Sequence, residues 1–309
     1  MIYTITLNPA VDKTIILDKM VRGSVNRTSN SFSIVGGKGI NVSKTLRSLG
    51  IGSIASGFLG SKNSGFFIDY LRLIGIKPAF QIIDGINRTN IKIIETQGSI
   101  ITEINEKGFK VELRDIDLLM KKLLEMIKKD DIVVISGSVP CGTPMTVYKD
   151  MIQKFNNKGA VTILDSSGEV LKNGIESVPY AVKPNIQELK NIVDLDENDI
   201  GSVVKGGMAL IDRGINKVVV SMGGRGAILL SNKHRLFAEP LKVEVKNTVG
   251  AGDSMVAGIV YAVLKHLNDF ELLKIASACG TASVISSRTA LLNYKDIIDL
   301  NDMIKITRW

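Results

Sequence analysis

Asn247-Thr248-Val249-Gly250-Ala251-Gly252-Asp253-Ser254-Met255-Val256-Ala257-Gly258 is the stretch around which the rest of this sequence arranges itself. A Gly-Ala-Gly turn runs into Asp253 and then into the apolar run Met255 to Leu264, the pattern of a tight loop opening a long buried helix. The first amides of such a helix, from Gly250 through Ala251 and Gly252 to Asp253, lack partners within it. Together with the positive end of the helix dipole they face an anion above the loop. A carboxylate there is a poor anion binder and a good proton acceptor, so Asp253 is read as a general base beside a bound anion. The same letters also fit an Asp that caps the helix behind glycines that only permit the turn.

Upstream, Gly36-Gly37-Lys38-Gly39-Ile40-Asn41-Val42-Ser43 follows a strand-like run and opens a helix in the same manner. The two turns, far apart and in this order, resemble the two signatures of the PfkB family of ribokinase-like carbohydrate kinases. The resemblance covers essentially the whole chain. It implies an α/β, ribokinase-like fold with a mainly parallel central sheet, helices on both faces and a small β lid. It also implies phosphoryl transfer from ATP, assisted by Mg²⁺.

Composition is compatible with this. A chain of 309 residues, 45% of them hydrophobic, can fill one large α/β core. Cys141 and Cys279 have no pairing or metal spacing; they read as two ordinary buried thiols of a reduced cytoplasm. The segment Met1 to Leu7 alternates like a strand and lacks the basic start and apolar core of a signal peptide. No run approaches the roughly 18 apolar residues of a membrane span. A soluble, cytoplasmic protein with no membrane partner is expected. The net charge of +8 is scattered along the chain, and six tyrosines and one tryptophan offer little stacking surface, so no nucleic-acid partner is expected. The surplus reads as surface solubility and attraction for phosphorylated substrates.

Along the chain, a strand at 2–7 ends at Asn8-Pro9-Ala10-Val11-Asp12. It leaves Asp12 at a strand's carboxyl end, where open α/β sheets place ligands, although a turn-capping Asp fits the same position. After it, Lys13 to Leu17 and Ser31 to Val35 alternate without a helical period, as a β element standing off the main sheet. A helix at 39–48 and a strand at 53–58 precede a second run of strands, Pro78 to Ile83, Thr89 to Glu95 and Ile100 to Ile104. Two β insertions suggest one lid, formed by about 10–35 and 84–108, on a single domain spanning 1–309. From 115 onward, helices near 115–128, 145–156, 185–192 and 200–213 alternate with buried strands at 131–136, 161–164, 180–182 and 217–222. This pattern predicts a mainly parallel sheet covered on both faces. Strands at 226–231, 234–238 and 241–245 predict an antiparallel edge, and helices at 250–265, 270–284 and 294–303 close the chain.

The family resemblance assigns roles to individual residues. Asp253 takes the proton of the acceptor hydroxyl, and the amides at Gly250, Ala251 and Gly252 stabilise the moving phosphoryl group. Asp12, Gly37, Lys38 and Asn41 match positions that contact the sugar, and Ser138 matches another substrate-side position. Arg27 and Arg88, both in the expected lid strands, match positions that hold the existing phosphate of a sugar phosphate, a task suited to guanidinium; surface arginine is the plainer alternative for each. In Lys183-Pro184-Asn185-Ile186-Gln187-Glu188, Lys183 matches a lysine near the nucleotide phosphates. Asn185 and Glu188 match the Asn-x-x-Glu motif that positions Mg²⁺ through water, or they form a solvated polar face. Ser221, Gly223 and Gly226 match the turn beneath the nucleotide, or a hairpin turn, and Thr248, Gly250 and Gly252 lie on the nucleotide side.

Three further segments, Thr6 to Asp12, Thr102 to Gly108 and Asp165-Ser166-Ser167-Gly168-Glu169, resemble the branch that phosphorylates fructose 1-phosphate, with tagatose 6-phosphate and fructose 6-phosphate as sibling substrates. ATP and a ketose phosphate are thus the expected small-molecule partners. Lids of this family often pair between subunits, so a homodimer through the β lid is expected. One departure is Ser286-Ser287-Arg288-Thr289-Ala290, which lacks a glycine-containing turn common near this point and leaves adenine and monovalent-cation contacts open.

Other chemistries find no support in the motifs. There is neither a Gly-x-x-x-x-Gly-Lys-[Ser/Thr] loop nor a Gly-x-Gly-x-x-Gly after the first strand. His234 and His266 stand in polar or helix-end contexts without an evident partner, which argues against metal or triad chemistry. The competing class is a sugar-phosphate-binding regulator on a kinase fold, but such a binder has no need of Asp253, Asn185 and Glu188 together.

Overall fold

The computed structural model describes residues 1–98, 100–286 and 291–309. The chain opens with β1 (Ile2–Thr6), β2 (Ala10–Leu17) and β3 (Asn30–Gly36), enters α1 (Lys38–Ser48), and continues through β4 (Ile54–Gly60) and α2 (Ser64–Leu73). Strands β5 (Lys77–Pro78), β6 (Gln81–Ile83), β7 (Arg88–Glu95) and β8 (Ile100–Asn105) precede α3 (Leu113–Met126). Alternation follows with β9 (Ile132–Ser136), α4 (Val147–Asn157), β10 (Val161–Asp165), α5 (Gly168–Ile175), β11 (Ala181–Val182), α6 (Ile186–Lys190), α7 (Ile200–Ile211) and β12 (Lys217–Ser221). Last come β13 (Ala227–Leu230), β14 (Arg235–Ala238), α8 (Ala251–Leu264), α9 (Asp269–Ile285), α10 (Tyr294–Met303) and β15 (Ile306–Arg308).

One eleven-stranded sheet runs β15-β14-β13-β12-β11-β10-β9-β1-β4-β5, with β6 also on β4. Pairing is parallel from β12 to β5, and β13, β14 and β15 add an antiparallel edge. The strand β9 shows why both faces are covered. Ile132 and Val134 pack with α1, α8 and α9 on one side, while Val133 and Ile135 pack with α3, α4 and α7 on the other. A strand with no polar face needs a helical layer on each side, and each fully buried aliphatic side chain contributes about 1.5–3 kcal/mol. The expected α/β class, mainly parallel and doubly covered, is the class observed.

The second sheet is small and runs β3-β2-β7-β8. Its centre is the parallel pairing of β2 with β7, from Ala10 opposite Arg88 to Leu17 opposite Glu95, which joins two segments distant in sequence.

Several local expectations need correction. Residues 78–83 do not join the small sheet; β5 and β6 pair with β4 at the edge of the large one. Residues 241–245 form no strand. Pro240 offers no N–H to a ladder, and β15 takes the edge beside β14 instead. Helices α2 and α5 were not foreseen: α2 buries only Phe67 and Leu71, too short an apolar stripe to read as a period. Cys141 is exposed and only Cys279 is buried. Among the described residues, no helix is long and apolar enough to cross a membrane.

Candidate active site

Two helix starts meet at the carboxyl ends of the parallel strands. Helix α1 begins after Gly37, whose φ of 125° suits glycine, and a Cβ there would stand 2.8 Å from Thr6 Cγ2. Helix α8 begins after Gly250, at φ 83°. A buried hydrogen bond of 3.1 Å between Thr45 Oγ1 and Ser254 Oγ ties the two helices together. Behind it, Ser43 Oγ bonds Thr4 of β1 at 2.7 Å and Ser53 at 2.8 Å. This framework brings Asn41 Nδ2 to within 2.9 Å of Asp253 Oδ2.

Charge is distributed around that pair. Asp165, the last residue of β10, is fully buried, with Lys38 Nζ and Lys183 Nζ each 3.4 Å from its carboxylate. Burial alone would push the Asp165 carboxyl up, but Lys183 and Lys38 outweigh it and hold the group below the usual range. Burial likewise disfavours the Lys38 ammonium, yet Asp165, Asp253 and Glu188 together raise it above its ordinary value. Burial, and then the charge of Asp165, push the Asp253 carboxyl up to about 6 against the opposing pull of Lys38, Asn41 and Lys183. A carboxylate so tuned is ionised at neutral pH and still a competent proton acceptor. The Asp12 carboxyl is also raised by burial, opposed by the 3.0 Å hydrogen bond from Asn90 Nδ2 and by Lys44, Arg88 and Lys92.

Two cavities adjoin at this point. One, of about 430 Å³, is lined by Asp12, Gly37, Lys38, Asn41, Arg88, Lys92, Lys183, Asn185, Glu188, Gly250 and Asp253, so that both sheets contribute to it. The other, of about 870 Å³, is lined by Gly223, Gly226, Leu241, Val243, Thr248, Ala251 and Met255. Ser221 and Gly252 belong to both walls. The alternating apolar residues of 241–245, read as a strand, thus line a cavity.

Most residues singled out in the sequence fall on these walls. Asn185 caps α6: its side chain accepts from the Glu188 amide at 2.8 Å, and Glu188 Oε2 accepts from the Asn185 amide at 2.8 Å. Arg88 donates to the carbonyls of Asn8 at 3.1 Å and Glu106 at 3.3 Å and to Ser138 Oγ at 3.3 Å, which places Ser138 beside the cleft. Its Nε has no partner among the described residues. Arg27 is not in a strand. It lies on the exposed loop between β2 and β3, outside the walls of both cavities. Of the segment Ser286 to Ala290, residues 287–290 lie outside the described residues.

Three polar residues of the cleft escaped the sequence reading as site residues. Asp165 stands at a strand's carboxyl end, the same signal that singled out Asp12. Lys92 lines the cleft and donates to Asn247 Oδ1 at 3.1 Å, and Lys44 lies beneath it; neither carries a motif. His234, expected to be unpartnered, has Asp269 at 2.9 Å from Nδ1. Ser231 Oγ binds the same carboxylate at 2.7 Å, so serine and histidine share an acceptor instead of forming a nucleophile–base relay.

Phosphoryl transfer needs an acceptor site, a base beside it, positive groups around the moving phosphoryl and a donor site in line with it. This cleft meets those needs around one shared wall, which places the molecule among the kinases. The chain belongs to the pfkB family of carbohydrate kinases, whose sequence pattern it matches over residues 5–295. Members of that family work with ATP and a divalent metal. The chain is 34% identical over 290 residues to the 1-phosphofructokinase of Escherichia coli (strain K12), covering 94% of this chain and 93% of that one. It is 35% identical over 309 residues to a tagatose-6-phosphate kinase of Staphylococcus epidermidis, covering 99% of each. Among solved structures, the tetrameric inhibited form of phosphofructokinase-2 from Escherichia coli superposes with a TM-score of 0.91 at 26% identity, over 98% of each chain.

Proposed function

We propose that the protein is a 1-phosphofructokinase, transferring the γ-phosphoryl group of ATP to the 6-hydroxyl of fructose 1-phosphate to give fructose 1,6-bisphosphate and ADP. The observation that carries this reading is the boundary at Ser221 and Gly252, common to a polar and a larger, partly apolar cavity, with Asp253 immediately beside it. The ketose phosphate occupies the first cavity and the nucleotide the second. Asp253 accepts the proton of the 6-hydroxyl while that oxygen attacks the γ-phosphorus. The bond to the bridging oxygen breaks, and ADP leaves with the electron pair. The amides from Gly250 to Asp253 and the ammonium groups of Lys38 and Lys183 receive the charge on the phosphoryl oxygens.

The residues fit Mg²⁺ as the metal. Glu188 and Asn185 bring only oxygen and amide groups to the cleft wall, and no cluster of three metal-binding side chains occurs among the described residues. Such a set suits a hard cation that keeps most of its water and is held chiefly by nucleotide phosphates. A metal held there would supply charge neutralisation on the nucleotide phosphates. Glu188 and Asn185 are the residues that would hold it, through water.

In this reading the whole chain is one kinase unit, and the small sheet is a lid over the phosphosugar. Asp12 and Asn41 hold sugar hydroxyls, and Arg88 with Ser138 holds the existing phosphate. The lid carries exposed apolar side chains on both faces, Phe32 and Ile101 on the side toward the cleft and Ile100 and Ile104 on the side away from it, and the outer pair supports pairing of two copies in a homodimer. Arg27, on its exposed loop, then serves the phosphate only if the assembled dimer brings it there. The setting is the cytoplasm. Sedimentation equilibrium tests the assembly, with a tetramer, as in the superposed relative, as the competing result.

The function is tested by coupled ADP-release assays with fructose 1-phosphate, fructose 6-phosphate and tagatose 6-phosphate. The highest kcat/KM is expected for fructose 1-phosphate. The 35% identity to a tagatose-6-phosphate kinase favours the second reading, which replaces the first if tagatose 6-phosphate wins. Binding of these sugars without turnover would leave a regulator.

A further inference from the structure

Lys44 takes no direct part in the transfer just described. It sits three residues along α1 from Asn41, only 3% exposed, flanked by the buried residues Ser43, Thr45 and Leu46. An ammonium group removed from water is strongly disfavoured unless it is paired. Lys44 Nζ donates to the Val35 carbonyl oxygen of β3 and to Asn41 Oδ1 at 3.4 Å. It also lies 5.4 Å from the centre of the Tyr70 ring of α2. The charges that act on it are Asp12 on β2 and Asp253 on α8, both in the cleft wall, and Tyr70 is the other titratable group against it.

The chemistry of these groups permits one arrangement. An ammonium only donates and a carboxylate only accepts, so the Asn41 amide between them turns Oδ1 to Lys44 and Nδ2 to Asp253. Asp253 Oδ2 is thereby engaged. Oδ1 has no hydrogen-bond partner among the described residues and is left for a substrate hydroxyl.

We propose that Lys44 is a positioning residue for phosphoryl transfer, its buried ammonium fixing the Asn41 amide against Asp253 and standing as a buried counter-charge behind the cleft. The assignment rests on the functional reading above, with Asp253 as base. Burial lowers the Lys44 ammonium to about 8, against Asp12 and Asp253, which support it. The charge is therefore present at neutral pH and lost as pH rises through about 8. An arginine at this position keeps its charge throughout.

The test compares wild type, Lys44→Arg and Lys44→Met. Carboxyl ¹³C titration of aspartate-labelled protein, with the Asp253 signal assigned through Asp253→Asn, needs no turnover. In wild type the Asp253 signal should titrate near pH 6 and show a second inflection near pH 8 as Lys44 loses its proton. Lys44→Arg should keep the first and lose the second, and its kcat should lack the alkaline limb expected of wild type. Lys44→Met should raise the first midpoint, since the Lys44 and Asp253 charges act on each other, and lower kcat by about tenfold or more, with KM for ATP within about twofold. A second inflection that persists in Lys44→Arg overturns the proposal, even if Lys44→Met does not fold. An Asp253 midpoint unmoved in folded Lys44→Met overturns it equally. Failure of every ketose phosphate as substrate would instead strike the functional reading, and the titration would still decide the role of Lys44.

Discussion

Asn41 and Asp253 stand 212 positions apart in the chain and 2.9 Å apart in the fold, Nδ2 to Oδ2. One comes from the first turn of α1, the other from the first turn of α8. Their contact places a buried carboxylate where two cavities join, and the proposed mechanism depends on that placement.

Asp253→Asn removes the acceptor and preserves the shape. The expected result is a fall in kcat of about 10²–10⁴-fold, with sugar-phosphate affinity by calorimetry changed less than about threefold. Full retained turnover would remove the base assignment.

The raised Asp253 carboxyl has opposite consequences for rate and stability. With Asp253 as the proposed base, turnover requires its ionised form, and kcat should fall as pH drops through about 6. Stability runs the other way: a folded value near 6 lies above the ordinary 3.8, so the buried carboxylate destabilises the fold above pH 6, and this effect disappears as pH falls toward 4. Asp253→Asn should therefore melt at a higher temperature than wild type at pH 8 and show a smaller gain at pH 5, as calorimetric scans would reveal.

Asp165 is fully buried with two lysines against it. Asp165→Asn removes the carboxylate shared by Lys183 and Lys38, leaving Lys38 the charges of Asp253 and Glu188, and breaking the buried Lys183–Asp165 pair in this way costs about 3–5 kcal/mol. Urea unfolding should show a loss of that order at pH 7. An unchanged midpoint would mean that the lysines find other partners.

Arg88→Ala should raise KM for the phosphosugar by about tenfold or more while KM for ATP stays within about twofold, since a charge-assisted contact to phosphate is lost from one substrate only. Equal effects on both would show that Arg88 supports the cleft through Asn8, Glu106 and Ser138 instead of binding phosphate.

Chelation with EDTA should abolish turnover and Mg²⁺ should restore it. Glu188→Gln should raise the Mg²⁺ concentration for half-maximal rate by about tenfold, as expected when a group that orients metal-bound water is weakened. A normal requirement would leave Glu188 as the cap of α6 alone.

Local chemistry made much of this molecule legible. The unbroken apolar runs of β9 and β12 can be buried only between two helical layers, and the glycine turns before α1 and α8 mark helix starts whose amides are unpaired. Asp253 could be found because it opens α8 behind such a turn; Asn41 is reached through its match to the family signature, and Asp12, read at the end of the first strand, lies inside β2. Other features depended on packing across long separations. Residues 241–245 alternate like a strand, yet β15 takes the neighbouring edge and leaves them to line a cavity. Arg27 shares its residue type with Arg88 but lies on an exposed loop, because strand pairing ends at Asn30 opposite Ile16. Asp165, Lys44 and Lys92 acquire their roles only when β10, α1 and β7 converge. A buried charge is defined by the charges placed around it in space, and sequence order does not specify that arrangement.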